Sequence, residues 1–586
     1  MYQSIYYCHK TYKTHLRDDK RGWLELDYKP QVYKRVDKDG EGCFPVLTGG
    51  YATPVSKYER GNPIFLEQDL NKELALLRDL YYKEDDKLPE WHNCVYLDIE
   101  IEMGGKLTPE YIRAAPMPIT AIALIDVTTK TKICFIVDDS GEIEEIKEEG
   151  KLIIPCKTEE ELIYKFLDKW EELDPTIVAG YNSDYFDIPY LYYRIYKIID
   201  DDVLRLSPIG KINVNEENPE VLSVRIGGVN HLDYMLLHKK YITKQEPSYK
   251  LKDIGSKYAN LEKIEYEGNL NQLFKNDKKG FIDYNLRDVE IIEGLEGNLK
   301  FIELTILISH ICNTPYESIY YNTVLGEGAI LKYLKREDII SPNKPITTNP
   351  AIVNIIVGDE VKHQRNTPPI EGTVVEIDNG MVKIKPKSGE FKYRNLKTIR
   401  KNTSYAGGYL LEPNPGLYFD VIDLDFTSLY PSIIKSLNIG IETLIGRIKV
   451  EDNYVQDHSL EKLKERNPEE EIIVQRLNKE TYKVTSTKIN LGTLIKLIES
   501  NNYTISASGA IFDTDEQSIS AKILSFWFEK REHYRGLKKE AGLKEDWDKF
   551  KLYDLFQHAF KILQNALYGT YAIPSWRYTD GYMICS

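Results

Sequence analysis

The chain has 586 residues, too many for one hydrophobic core, so several domains are expected. With 42% hydrophobic and 29% charged residues its composition is that of an ordinary globular protein. The formal charge of −15, from 77 Lys+Arg against 92 Asp+Glu, argues against a protein that coats nucleic acid non-specifically. It leaves room for an enzyme with a local basic groove and metal-holding carboxylates.

Residues 1–90 alternate short strands (Trp23–Tyr28, Pro30–Val36) with polar turns, then a helical stretch near Leu66–Tyr82. From Asn93 the pattern turns β-rich: CVYLDIEIE, ITAIALIDV and KICFIVDD. Helix follows at Thr158–Leu173, then the apolar strand TIVAGY, a helix from Ile188, and helical segments over 281–335. This alternation points to an α/β domain. Residues 351–400 alternate as strands around Asn379-Gly380 and Ser388-Gly389, two hairpin signals, and suggest a small β-barrel with a basic second half. An apolar strand ending in DLDF comes next, then polar and charged sequence over 450–500. Helical patterns at Ser518–Glu540 and Lys544–Tyr568 join at Ala541-Gly542. Seven dispersed cysteines without a CxxC pair fit a reduced, cytoplasmic protein with neither disulfides nor a zinc site. No apolar run reaches membrane-spanning length, and no membrane partner is expected.

Two groups of residues carry chemistry. In Cys94–Glu102 side chains alternate between faces, so Asp98, Glu100 and Glu102 share one face. That strand alone is equally compatible with a solvated outer face. Two further segments tilt the balance: GYNSDYFDIPYL, where Asn182 and Asp187 bracket a turn, and FIDYNLRDVEII, where Tyr284 and Asp288 fall four apart on one helix face. In this order the three segments resemble the exonuclease motifs of the family B DNA polymerases, whose 3′–5′ proofreading domain is ribonuclease H-like. The resemblance implies that Asp98, Glu100, Asp187 and Asp288 surround two divalent cations, Mg2+ with Mn2+ as a substitute. It assigns Tyr284 to orienting the attacking water and Asn182 to seating the DNA strand. It gives Asp184 and Glu102 no part.

The second group begins with DFTSLYPSII, which matches the family's polymerase motif A almost letter for letter. By that match Asp425 is a catalytic metal ligand and Tyr430 the ring beneath the incoming sugar. Backbone amides over Thr427, Ser428 and Leu429 would bond the triphosphate. KILQNALYG matches motif B, a fingers helix with Lys561, Asn565 and Tyr568 on one stripe. Arg531 and Arg535, on the preceding helix, resemble the family's other triphosphate-binding bases. Tyr405, Gly407 and Gly408 of YAGG resemble its template-contacting connector. SYKLKDIG and SASGAIF most resemble the T-even bacteriophage branch.

The expected architecture is multidomain α/β: an N-terminal domain over 1–90, the exonuclease domain over 91–340, and a β-rich insertion or second N-terminal segment over 341–404. The first part of the palm covers 405–515, helical fingers 516–569, and the start of a second palm segment 570–586. In the family a second palm aspartate follows in a YGDTDS-type hairpin, motif C, and no such string occurs here. The expectation is therefore the N-terminal part of a DNA-dependent DNA polymerase with proofreading activity. Its substrates would be primer-template, single-stranded 3′ ends and dNTPs, in the cytoplasm (the host's, if the source is viral). A second polypeptide with motif C and thumb would complete synthesis and meet a sliding clamp. The alternatives are a stand-alone Mg2+-dependent exonuclease and a non-catalytic DNA-binding replisome component.

Overall fold

The computed structural model describes the chain except residues 38–39, 85–86, 216–220, 243, 345–359, 364–369, 379–380, 387–390, 396–398, 402–413, 423, 425, 427, 450–456, 478–483, 572, 574–575 and 579–586. Two compact units divide it. The first comprises Met1–Pro30, Leu70–Arg336 and Lys530–Leu563, the second Gln31–Asp69, Glu337–Glu529 and Gln564–Ser586. Among the described residues no helix is long and apolar enough to cross a membrane.

The first unit is built on a seven-stranded mixed sheet. Its strands are β1 (Cys94–Ile101), β2 (Ile119–Asp126), β3 (Thr131–Val137), β4 (Ile146–Glu148), β5 (Lys151–Cys156), β6 (Ile177–Gly180) and β7 (Asn230–Asp233). They lie in the order β4-β5-β3-β2-β1-β6-β7. β2 pairs antiparallel with β1 and β3, whereas β6 runs parallel to both β1 and β7. The carboxyl ends of β1, β6 and β7 therefore share one edge, the place where α/β sheets collect ligands.

Helix α1 (Glu159–Leu173) covers one face. Thr158 caps it by accepting the Glu161 N–H, three glutamates in its first turn suit the helix dipole, and Asp174 ends it in a left-handed conformation at φ 42°. Leu162, Ile163, Phe166, Leu167 and Trp170 share a core there with Ile122 and Leu124 of β2 and with Ile133 and Phe135 of β3, and Val95, Leu97, Ile99 and Ile101 of β1 belong to the same core. Each such fully buried side chain contributes about 1.5–3 kcal/mol. Two shorter helices, α2 (Asp187–Ile199) and α3 (Tyr234–Tyr241), follow β6 and β7 directly, and α4 is Leu251–Ala259. The long helix α5 (Lys278–Leu299) lies over the other face, against β1 and β2. Because β2 is covered on both sides, all eight of its residues are buried, and its middle, Ala121–Ile125, is a continuous apolar run.

In the second unit a small four-stranded sheet gathers Val32–Val36, Phe44–Pro45, Tyr51–Val55 and Phe65–Leu66 around Tyr33, Val46, Ala52, Leu66 and Ile340. Arg577 is buried there, its guanidinium donating to Asp69 Oδ1 at 2.6 Å and to the Pro342 carbonyl at 2.8 Å. The β-rich insertion is a five-stranded antiparallel sheet between Glu360 and Lys401. Its two expected turns lie outside the described residues.

The 450–500 stretch, read from the sequence only as polar and charged, carries regular elements. Glu471–Leu477 and Val484–Asn490 are strands of another five-stranded sheet, followed by the helix Leu491–Ser500. Ile472, Val474, Leu491, Leu494 and Ile498 form a local core with Ile448, Ile505 and Ile511. One buried face per element suffices, and the charges sit on the other.

Helices Ile519–Leu543 and Trp547–Thr570 follow the expected patterns. Within the first unit Tyr534 stacks on Phe556 with centroids 4.6 Å apart, and Lys538 pairs with Asp554 at 2.7 Å.

Candidate active site

The alternation of β1 puts Leu97, Ile99 and Ile101 into the core and leaves Asp98 and Glu100 half-buried on the α5 side. Pairing of β6 with β1 ends at Tyr96. Beyond it the Ile99 N–H donates instead to Asp187 Oδ1, at 3.1 Å. Asp187 is the first residue of α2 and is itself buried, so this bond ties the start of α2 to the β1 backbone between Asp98 and Glu100 in sequence. From α5, Tyr284 and Asp288 come down one turn apart, and Asp288 is 4% exposed.

Carboxylate oxygens of Asp98, Glu100 and Asp288 lie within 4.8 Å of one another. At that spacing each like-charged pair repels by about 3.5 kcal/mol in an effective dielectric of about 20. Burial, then Asp288, Asp187 and Glu100, push Asp98 well above the usual carboxylate range. Burial and Asp288 raise Glu100 to about 8. Burial raises Asp187 to about 7 despite the Ile99 amide, with Asp233 and Asp288 adding to the rise. Asp288 is raised by burial against the pull of Lys263. Groups packed this way call for a cation. Asp288 Oδ1 and Asn285 Oδ1 are also buried without a hydrogen-bond partner. The donors are hard oxygens, a set suited to a hard divalent cation.

Three residues at this site were not anticipated from the sequence. Lys263, in the segment after α4, bonds Asp288 Oδ2 and lies 3.3 Å from the Tyr284 hydroxyl. Burial alone would lower its ammonium, but Asp288 and Tyr284 more than reverse that. Asn285 donates from its amide to Asp98 Oδ2 at 2.7 Å. Asp233 accepts the Asn182 and Asp184 N–H groups of the turn before α2. Asn285 carried one readable signal, its i, i+3 spacing from Asp288 on an otherwise apolar face. Lys263 carried none. Asn182 opens the turn in a left-handed conformation, φ 60°, with its N–H donated to Asp233.

The remaining sequence candidates are on other elements. Asp425, Tyr405, Gly407 and Gly408 lie outside the described residues. Ser428, at φ 54°, precedes the helix Leu429–Leu437, where Leu429 and Tyr430 are exposed. Tyr430 stacks on Tyr568 with ring centroids 4.1 Å apart and planes at 19°. Lys561, Asn565 and Tyr568 form an exposed stripe of their helix. Arg531 is half-buried and Arg535 exposed, the latter paired with Glu532 at 2.7 Å. Burial first, then Lys561 and Arg531, lower the pKa of His558, so these two cations border the same imidazole.

Fold and site together define a multidomain α/β protein with a buried carboxylate centre suited to divalent cations. The model of DNA polymerase family B matches residues 322–577, and that of the family B exonuclease domain matches residues 75–254. The chain is similar to the DNA-directed DNA polymerase of Escherichia phage RB69, 27% identical over 305 residues, 51% of this chain and 28% of the relative. The enzyme of the same name from Enterobacteria phage T4 is 26% identical over the same length, again 51% of this chain and 28% of the relative. DNA polymerase 1 of Sulfolobus acidocaldarius is 24% identical over 497 residues, 82% of this chain and 44% of the relative. The chain thus spans less than half the length of the curated relatives it matches. It belongs to the family B DNA polymerases and carries that family's exonuclease domain.

Proposed function

We propose that the carboxylate centre hydrolyses the terminal phosphodiester of a single-stranded DNA 3′ end, as the proofreading exonuclease of a DNA-dependent DNA polymerase. The observation that carries this reading is the convergence of Asp98, Glu100 and Asp288 within 4.8 Å, beside Asp187 and Tyr284. Asp98, Glu100 and Asp187 fall inside the segment matched by the exonuclease model, residues 75–254, and Asp288 lies beyond its end. In this reading the domain is ribonuclease H-like, and the four carboxylates hold Mg2+. When bound, Mg2+ supplies the charge that makes water a nucleophile and stabilises the leaving 3′ oxygen.

The protein's own groups do the rest. Asn285 fixes one oxygen of Asp98, and the Ile99 N–H fixes one oxygen of Asp187, which leaves the second oxygen of each for the cations. Burial and the neighbouring Asp288 keep Tyr284 a neutral phenol, able to hold the attacking water by hydrogen bonding. Asn182 contacts the strand being cut.

Nucleotidyl transfer is assigned to the second group: Asp425 as metal ligand, Tyr430 beneath the sugar, and Arg531, Arg535, Lys561, Asn565 and Tyr568 around the nucleotide. The Tyr405–Gly408 connector would track the template. Synthesis also needs a second palm carboxylate, and no recognisable motif for it occurs in these 586 residues. Sequence beyond them, in the same polypeptide or in a partner that also meets the clamp, would supply it.

Product analysis tests the exonuclease reading. With Mg2+ and a 5′-labelled single strand, the products should shorten one nucleotide at a time and release nucleoside 5′-monophosphates. Internal cuts or nucleoside 3′-monophosphates would contradict it.

A further inference from the structure

We propose that Asp233 is a positioning residue of the exonuclease site, holding the turn that delivers Asp187. The proposal rests on reading this sheet edge as that site.

Asp233 ends β7 beside Gly180, its partner in the parallel ladder with β6, and is 2% exposed. Its carboxylate accepts four backbone N–H groups. Oδ1 takes Met235 at 2.9 Å, Leu236 at 3.3 Å and Asn182 at 3.1 Å, and Oδ2 takes Asp184 at 3.1 Å. The first two bonds are an ordinary cap on α3. The other two reach across to the loop between β6 and α2, and a helix cap has no use for them.

That loop is held from several sides. Asn182 adopts φ 60°, where a non-glycine residue is strained and needs support from its surroundings. Its carbonyl accepts the Tyr185 and Phe186 N–H groups, which closes the turn immediately before Asp187. His231, two residues before Asp233 and on the same side of β7, bonds the Ser183 hydroxyl at 2.8 Å. Gly180 lies so close to the turn that a Cβ there would fall 2.6 Å from Ser183 Cβ and 3.0 Å from the Leu97 carbonyl oxygen. The Asp233 N–H is itself tied to the Tyr320 hydroxyl at 3.0 Å. The last strand of the sheet thus grips the turn through two side chains, and the turn's exit residue is Asp187, whose carboxylate meets the Ile99 N–H. If the two cross-bonds are lost, Asn182 and Asp184 are free to relax, and Asp187 loses its fixed distance to Asp98.

The test is Asp233→Ser in the full chain. Serine keeps the cap of α3 but is too short to reach the Asn182 and Asp184 amides. Three properties are compared with wild type and Asp187→Ala: kcat and KM on oligothymidylate, Mn2+ affinity by paramagnetic resonance with the metal alone, and the thermal midpoint. The expected result is a kcat lower by about 10- to 100-fold and Mn2+ binding weaker by at least about tenfold. KM should stay within about twofold and the midpoint close to wild type. Asp233→Asn, which retains the Oδ1 bonds and loses only that to Asp184, should fall between.

Wild-type kcat and Mn2+ affinity in Asp233→Ser would overturn the proposal, as would losses that merely follow a fallen midpoint. A wild-type chain that neither binds Mn2+ nor digests DNA would overturn the exonuclease reading, and this proposal with it.

Discussion

Replacing Lys263 with methionine should make the carboxylate centre depend on divalent cations for its stability. Methionine keeps most of the aliphatic stem and removes only the ammonium that bonds Asp288 Oδ2. Without it Asp288, 4% exposed and beside Asp98 and Glu100, must take up a proton to stay buried. A carboxyl kept protonated at pH 7 costs about 4 kcal/mol, at about 1.4 kcal/mol per pH unit above an ordinary pKa near 4. Part of this is offset because the ammonium no longer has to be desolvated, which leaves a net loss of about 3 kcal/mol. That agrees with the cost of about 3–5 kcal/mol for removing one partner of a buried ion pair.

Hydrogen exchange of peptides from β1 and α5 reads the local opening free energy directly. In EDTA the Lys263→Met chain should open more readily, by a factor on the order of 100, and saturating Mg2+ should restore most of the protection. Wild type should gain less from Mg2+. Exchange within about threefold of wild type in EDTA would refute the reasoning, because Lys263 would then not be the counter-charge of the empty centre.

The other predictions concern stability at different points and one catalytic rate. Burial would raise Asp138, but the Lys278 ammonium, the Ile143 amide and the Ser140 hydroxyl hold it down at about 2. The stabilisation, about 2 kcal/mol, is therefore present above pH ~4 and lost as pH falls toward 2. Asp138→Asn should lower the unfolding midpoint at pH 7 and flatten this acid limb. An unchanged limb in an acid titration monitored by circular dichroism would count against the ion pair. Gly180→Ala should destabilise by about 1–3 kcal/mol in urea unfolding, since the methyl meets Ser183 and the Leu97 carbonyl oxygen. A neutral effect would mean that the turn yields freely. Asn285→Leu removes the donor to Asp98 Oδ2. Digestion should slow by about 10- to 100-fold with little change in melting, and a rate within twofold would exclude a positioning role for the amide.

What could be read from the sequence was what short-range periodicity encodes. Asp98 and Glu100 stand two apart on a strand, Tyr284 and Asp288 four apart on a helix, and Asp187 follows an apolar strand at a turn. The spacing alone put each pair on one face. What could not be read came from long-range packing. Lys263 lies in an irregular segment, and among 77 Lys+Arg nothing marks it as the cation that the α5 carboxylate selects. Asp233 caps the helix that follows it, an ordinary role for an aspartate at a strand-to-helix junction. Its two additional bonds depend on β6 and β7 lying side by side, which no local pattern reveals. The 450–500 stretch escaped for a different reason: its strands bury only one face each, and their charged faces dominate the composition.

The most direct test of the central claim is digestion of a 3′-labelled single strand by the purified chain with Mg2+, beside the double variant Asp98→Ala/Glu100→Ala. The account predicts that wild type releases the label and that the double variant, folded to the same extent, does not. Equal digestion by both would show that the hydrolytic site lies elsewhere. No digestion by a folded wild-type chain that binds Mn2+ would contradict the exonuclease assignment itself.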